Sequence, residues 1–459
     1  LTRIRSGNLA TVARASSIIL PELHRGQIDA YWALQAHRFM ALRCGRRFGK
    51  TEFAKAWIAQ GLVEGQECAW LAPQRMMWSE VFPDLTRMLG PIVMVGSRSD
   101  GVIRFSTGGR LDFYSLENPI VGRGKRYQRM VIDEAAFTKN GDNRSDDSMM
   151  AIWEKALKPT LFDFAGEVLV CSNSAGKNPN NFFFNICSDS QYGFQEFHAT
   201  TLDNPFLPKR LLNESIKGWE SRRAQFLDDL KRDNDPLVYA QEYLAEFVDW
   251  SGAAFFSREK LLVDNLPVAM PPWCEYVFAV IDTASKTGTD NDGTAVTFFA
   301  VQAGDPRRLV ILDWDIVQIE GALLETWLPG VFETLEKLAR GCQARNRWTA
   351  FIEDKNSGTI LLQQAQRRGL PVTPIESKLT ALGKDERAIS VSGYVHRGLI
   401  KYADRAFNKT VIYKQHSRNH LLDQVESFRI ADPKSDREDD LLDTFCYGIA
   451  LALGNSEGF

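Results

Sequence analysis

The run Cys44-Gly45-Arg46-Arg47-Phe48-Gly49-Lys50-Thr51 has the residue types of a phosphate-binding loop. Such a GxxxxGK[ST] loop works through geometry. Main-chain N–H groups of the loop and of the helix N-terminus after it point at phosphate oxygens, and a lysine adds a point charge. Lys50 would take the β- and γ-phosphates of ATP, the Thr51 hydroxyl would ligate Mg²⁺, and Gly45, Arg46, Arg47 and Gly49 complete the cradle. Cys44 stands where the first glycine is expected, with Gly45 directly after it. About 80 residues further on, Met130-Val131-Ile132-Asp133-Glu134 is an apolar strand ending in two carboxylates. Asp133 would hold the metal, directly or through water, and Glu134 would orient and activate the attacking water. Ser172-Asn173-Ser174, at the tip of another apolar run, is either a γ-phosphate sensor or a turn. Gln27 in HRGQIDAYW is either a reader of the adenine edge or a polar residue ahead of an amphipathic helix.

A second set of carboxylates lies in the other half of the chain. Asp282 ends the apolar run YVFAVID, Glu353 ends FIE, and Asp439, Asp440 and Asp443 open the last helical stretch. Asp440 and Asp443 are three apart, so they share one helix face near its N-terminus. Acids from two strand ends and one helix can hold two divalent ions, which together stabilise the attacking and leaving oxygens in phosphodiester cleavage. No histidine or cysteine stands at ligand spacing beside them, so Mg²⁺ or Mn²⁺ is favoured over zinc. Lys384 and Arg387 in GKDERA are three apart on an expected helix, and they either grip a DNA phosphate or belong to a solvated face.

These side chains need rigid elements to hold them. The short apolar runs 38–45, 67–73, 129–134 and 167–173 are separated by helix-length segments, which predicts a mostly parallel sheet covered on both faces. Residues 205–260 are charged, helix-prone and punctuated by Asn204-Pro205, Asp235-Pro236 and Ser251-Gly252. Beyond them, 276–282, 294–302 and 308–317 predict an antiparallel meander, followed by helix (about 321–340), strand (348–354), further helix and strand, and a helix from about 439. That order is the one expected of an RNase H-like domain. The fold class is therefore α/β, with a P-loop ATPase domain over 1–205, a linker subdomain over 206–262 and an RNase H-like nuclease domain over 263–459.

Composition bounds the rest. The 459 residues carry 55 Lys+Arg against 58 Asp+Glu, a net charge of −3, so any polyanion must be held by local patches. Residues 1–60 hold ten basic and three acidic side chains, and 431–443 hold two and six. The seven cysteines are scattered without a CxxC, which argues against a disulfide framework or structural zinc. No apolar run approaches the roughly 18 residues needed to span a bilayer. The start LTRIRSGNLATVARASS has no compact signal-peptide core, which predicts a cytoplasmic protein with no membrane association.

GRRFGKT, VIDEA, the aspartate of VIDTA, FIEDKNSG, GKDERA, DDLLDTF and QEYLAEF (241–247) occur in the order and approximate spacing of a known family. In these motifs the chain resembles the large terminase subunit of tailed double-stranded DNA bacteriophages. The resemblance implies a motor that packages double-stranded DNA into a procapsid by ATP hydrolysis and cuts concatemeric DNA. It implies ATP hydrolysis at Lys50, Thr51, Asp133 and Glu134, and nuclease metals at Asp282, Glu353 and Asp440 or Asp443. It further implies Arg123, in VGRGKRY, as a trans-acting arginine finger, with Arg46 and Arg47 competing for phosphate sensing. The implied partners are a portal protein, a small terminase subunit and further copies in a ring on the portal, with a monomer in isolation, all in the host cytoplasm. A helicase–nuclease repair ATPase would carry further helicase motifs and a second ATPase-like lobe, and neither is found after residue 205. A non-catalytic DNA-binding scaffold would have lost Lys50, Glu134 or the acids, and all are present.

Overall fold

The structure is a computed structural model that describes residues 18, 20–138, 148–250, 255–283, 293–319, 324–346, 348–354, 357–380, 382–430 and 438–454. The basic arm before Ile18, the Ser251-Gly252 punctuation, Lys355-Asn356 of FIEDKNSG and the 431–437 part of the acidic run lie outside the described residues. The chain divides into two compact units, residues 1–228 with 239–249, and residues 229–238 with 250–459. The segment 206–262 is thus shared between the units, and its long helix Ile216–Asp233 runs from the first into the second.

The first unit is built on strands β1 (Phe39–Cys44), β2 (Glu67–Ala72), β3 (Val93–Ser97), β4 (Val102–Phe105), β5 (Arg110–Ser115), β6 (Arg129–Ile132), β7 (Glu167–Ser172) and β8 (Gln195–Ala199). Their order in the sheet is β3-β4-β5-β2-β6-β7-β1-β8. The central pairings are all parallel, and β3 and β4 form an antiparallel edge that the apolar runs did not announce. Side chains alternate across the sheet because successive Cβ atoms of a strand point to opposite faces. Met40, Leu42, Trp70, Val131 and Leu169 pack with Phe53, Trp57, Ile58 and Leu62 of the helix Lys50–Val63. Ala41, Leu71, Met130, Ile132, Val168 and Val170 pack on the other face with Trp153, Leu157, Phe182 and Phe183. Both faces are buried, which is why these strands read as continuous apolar runs rather than as alternating ones.

The second unit has strands β9 (Tyr276–Asp282), β10 (Thr294–Gln302), β11 (Arg308–Val317), β12 (Thr349–Ile352), β13 (Val372–Pro374) and β14 (Ile400–Tyr402), in the order β13-β12-β9-β10-β11-β14. The expected meander β9-β10-β11 is antiparallel, with a bulge at Phe298/Phe299, and β12 runs parallel to β9. Val277, Ala279, Ile281, Val296 and Phe298 face a core shared with Leu328, Val331 and Leu335 of the helix Leu324–Gly341. The opposite face carries the helix Asp440–Leu453. Its Gly448 lies so close to the sheet that a Cβ there would be 2.2 Å from Cζ of Phe299, so glycine sets the helix-to-sheet distance. This is an RNase H-like sheet. All seven cysteines are free, and no helix among the described residues is long and apolar enough to cross a membrane.

Candidate functional sites

The phosphate loop leaves the C-terminal end of β1 and enters the helix Lys50–Val63, as the sequence predicts. Cys44 is the last residue of β1, fully buried, with its thiol pushed up to about 12 by burial. The requirement for glycine has moved one place on. A Cβ on Gly45 would lie 2.2 Å from the main-chain oxygen of Tyr243 and 2.6 Å from Oγ1 of Thr201. Gly49 has φ +99°, a left-handed conformation that side chains resist. Neighbouring chain locks the loop: Gly45 N–H donates to Ala199 O (3.1 Å), Thr201 Oγ1 to Arg46 O (2.6 Å) and Asn204 Nδ2 to Arg47 O (2.6 Å).

Lys50 is buried, and its ammonium donates to the carbonyls of Cys44 (3.0 Å) and Gly45 (3.5 Å) inside the loop. Thr51 Oγ1 donates to Asp133 Oδ2 at 3.3 Å, joining the loop to the end of β6. β6 stops at Ile132, so Asp133 and Glu134 form a turn rather than the strand end that was expected, and Glu134 has φ +51°. Burial, and then the charge of Glu134, push the Asp133 carboxyl up to about 7 against the pull of Lys50 and the Thr51 hydroxyl. An acid held so close to another acid, beside a hydroxyl, fits a divalent cation. β7 lies between β6 and β1 in the sheet, which brings its tip to the same place. Ser172 Oγ donates to Glu134 Oε2 at 3.4 Å and accepts from Ala136 N–H at 3.1 Å.

Gln27 sits in the first turn of the helix Arg25–Ala36 rather than ahead of it. Its amide donates to Gly49 O (2.9 Å) and its carbonyl accepts from His24 N–H (3.0 Å), so it braces the loop. Arg47 is exposed at the loop tip. Arg46 pairs with Glu242, a residue the sequence reading did not single out. Glu242 is 1% exposed and also accepts from Asn173 Nδ2 at 2.8 Å. The only signal for it was its place in QEYLAEF. Arg123 lies on an exposed turn between Gly122 (φ +73°) and Gly124 (φ +76°), and it makes no ion pair among the described residues.

In the second unit Asp282 ends β9, Glu353 follows β12, and Asp440 and Asp443 lie in the first turn of the helix Asp440–Leu453. β12 pairs directly with β9 and Glu353 N–H donates to Ile281 O at 3.2 Å, which brings Glu353 beside Asp282. Burial, then the charges of Asp443, Glu353 and Asp440, push Asp282 well above the usual carboxylate range. Asp440 accepts from Gly293 N–H at 3.0 Å, and Gln424 Oε1 accepts from the N–H groups of Leu441 (2.8 Å) and Leu442 (3.1 Å). Among the described residues no three acidic, histidine or cysteine side chains converge closely enough to hold an ion as they stand. Burial and the charges of neighbouring acids nevertheless raise Asp282 and Asp443, which is the condition that a hard divalent cation relieves.

Arg387 does not belong to a solvated face. It is buried, 2.5 Å from Asp443 and 4.2 Å from the centroid of the Tyr447 ring, because its helix Lys384–His396 packs against the closing helix. Lys384 is exposed and pairs with Asp439. Tyr447, which the sequence reading also passed over, donates to Glu353 Oε1 at 3.1 Å. Its spacing of four from Asp443 was the available signal.

No protein-family model and no curated protein sequence matches this chain. Solved structures are similar to it. The large terminase of a thermophilic bacteriophage superposes with a TM-score of 0.60 at 14% identity, covering 95% of this chain and 100% of that one. The same protein in complex with ADP gives a TM-score of 0.62 at 14% identity, covering 94% and 99%. In complex with ATP-γ-S it gives 0.60 at 13% identity, covering 93% and 98%. At these identities the likeness concerns architecture. Over nearly its whole length, from the phosphate-loop sheet to the RNase H-like sheet, this chain has the fold of a phage large terminase.

Proposed function

We propose that this chain is the ATP-driven motor and nuclease of a viral DNA-packaging machine. It would move double-stranded DNA into a procapsid and cut concatemeric DNA. The observation that carries the reading is the meeting of Thr51 with Asp133 across 82 residues, beside Lys50 and Glu134, in a chain whose other unit gathers Asp282, Glu353, Asp440 and Asp443. The large terminase of the thermophilic bacteriophage, with which this chain shares its fold, has been seen with ADP and with ATP-γ-S, which supports ATP as the nucleotide.

In this reading Lys50 leaves the carbonyls of Cys44 and Gly45 for the β- and γ-phosphates, and the N–H groups of residues 45–51 line the phosphate chain. Thr51 and Asp133 hold Mg²⁺, Glu134 orients the attacking water, and Ser172 steadies Glu134. Gln27 keeps the Gly49 end of the loop in place, and in this reading it also contacts the adenine edge. Arg46 and Arg47 respond to the phosphates, and Arg123 reaches the nucleotide of a neighbouring copy. Asp282, Glu353, Asp440 and Asp443 hold two Mg²⁺ or Mn²⁺ ions. Bound divalent ions supply charge neutralisation at the phosphates and lower the pKa of the attacking water. The sequence division into 1–205, 206–262 and 263–459 is kept as a proposal for the ATPase, linker and nuclease parts, with residues 239–249 of the linker grouped with the phosphate-loop unit. The partners would be the portal, a small terminase subunit and further copies in a ring, in the host cytoplasm.

Two variants separate the activities. Glu134→Ala is expected to abolish ATP hydrolysis while retaining nucleotide binding, because the phosphate cradle is untouched. Asp282→Ala is expected to abolish Mg²⁺- or Mn²⁺-dependent plasmid cleavage and spare the ATPase. Normal cutting by Asp282→Ala would show that the acids of the second unit are not a nuclease centre.

A further inference from the structure

The acid cluster of the second unit contains a cation of its own. Arg387 is 6% exposed. Its guanidinium stands 2.5 Å from Asp443 and 4.2 Å from the ring centroid of Tyr447, and Nη2 donates to Leu382 O at 3.1 Å. Tyr447 follows Asp443 by one helical turn, so ring and carboxylate present the same side of the closing helix. The Tyr447 hydroxyl donates to Glu353, whose N–H in turn donates to Ile281 O, the residue before Asp282. One buried side chain therefore reaches the cluster twice, by charge at Asp443 and through the ring to Glu353.

Burying a guanidinium is unfavourable unless a charge meets it, and here the Asp443 charge does so at close range while Nε and Nη1 make no hydrogen bond among the described residues, so the residue is held by the acids and poised to yield to another cation. Lys384, one turn earlier, pairs with Asp439 in the same manner, but at the surface, where such pairs contribute little.

We propose that Arg387 is a positioning residue that stands in for a cation beside Asp443, keeping the acids assembled before metal arrives and making metal entry a competition for Asp443. The proposal rests on the reading of this cluster as a divalent-metal centre. An ion at Asp443 must share that carboxylate with the Arg387 charge paired to its Oδ1, and Tyr447 offers the guanidinium a face to remain on when it is displaced. The free protein therefore binds its ions weakly, and removing the arginine charge tightens them.

The test is a calorimetric Mn²⁺ titration of the nucleotide-free chain as wild type, Asp282→Ala, Arg387→Gln and Arg387→Lys, with melting curves in EDTA and in Mn²⁺. Binding is expected to be lost in Asp282→Ala. Arg387→Gln is expected to bind roughly tenfold tighter or more, to melt lower than wild type in EDTA and to be raised further by Mn²⁺. Damage to packing alone would weaken ion binding, so tightening is a readout that a merely structural role cannot give. Affinity unchanged or reduced in Arg387→Gln overturns the proposal. Should that variant fail to fold in EDTA, Arg387→Lys decides. Its ammonium keeps the charge without the planar fork, so binding about threefold tighter is expected, and wild-type or weaker affinity refutes the idea. If Asp282→Ala binds Mn²⁺ like wild type, the metal-centre reading fails and this inference falls with it.

Discussion

Replacing Glu242 tests whether the segment 239–249 is part of the phosphate-loop apparatus. The carboxylate is 1% exposed, accepts from Asn173 Nδ2 at 2.8 Å and pairs with Arg46, while the Glu242 main-chain oxygen accepts from Arg46 N–H at 2.8 Å. Glu242→Ala keeps the main-chain bond and removes the rest. Asn173, itself 3% exposed, then has a buried amide without its acceptor, at a cost of about 1–3 kcal/mol. The Arg46 side chain is 43% exposed and stays hydrated, so its share is discounted to about 0–1 kcal/mol. The sum is about 1–4 kcal/mol, or roughly 5- to 1,000-fold in a local opening equilibrium. Glu242→Gln retains an acceptor for Asn173 and is expected to cost about 1 kcal/mol. Hydrogen exchange followed on peptides from β1 and β7 reads the effect in the unit that holds the pair. Because Asn173 and Glu242 share one bond, adding Asn173→Ala to Glu242→Ala is expected to cost about 1–2 kcal/mol less than additivity. Exchange accelerated less than about fivefold by Glu242→Ala, or strict additivity of the two substitutions, would refute the reasoning.

Two further outcomes follow from the geometry. Gly448→Ala drives a Cβ to 2.2 Å from the Phe299 ring, so the closing helix must lift, with a loss of about 1–3 kcal/mol visible in thermal unfolding and weakened Mn²⁺-dependent cleavage, since Asp440 and Asp443 travel with that helix. Arg123→Ala removes an exposed guanidinium that makes no ion pair among the described residues. It is expected to leave nucleotide affinity and melting temperature unchanged and to lower ATP turnover only under conditions where copies assemble. A fall in turnover of the same size in dilute protein would show that Arg123 acts within its own chain.

Much of this molecule was legible from the order of its residues. Strands buried on both faces write themselves as apolar runs, so β1, β2, β6 and β7 and the whole β9-β10-β11 meander were found to within about two residues. β3, β4, β5 and β8 were not found: the edge strands β3 and β8 are largely open to water and β4 alternates, so they lack that run, and β5 carries Arg110 and Asp112 within it. The loop Cys44–Thr51 and the pair Asp133-Glu134 were identifiable because phosphate binding needs particular residue types at particular spacing. The substitution of Cys44 for glycine could be resolved only in three dimensions. The steric demand comes from Tyr243 and Thr201, far along the chain, and it falls on Gly45.

The sequence by itself determined the inventory of chemistry: a lysine and a hydroxyl at a helix start, two acids after one strand, and further acids at two strand ends and a helix N-terminus. Local patterns carry such information because a strand or helix imposes its own period on the residues within it. Only the tertiary structure decided the partners. That β7 lies between β6 and β1, that Glu242 closes on Arg46, and that Arg387 turns inward to Asp443 and Tyr447 are consequences of packing between segments far apart in the chain. A basic residue in a helix has the same signature whether it faces water or a buried carboxylate, because the burial that distinguishes the two is supplied by the other helix.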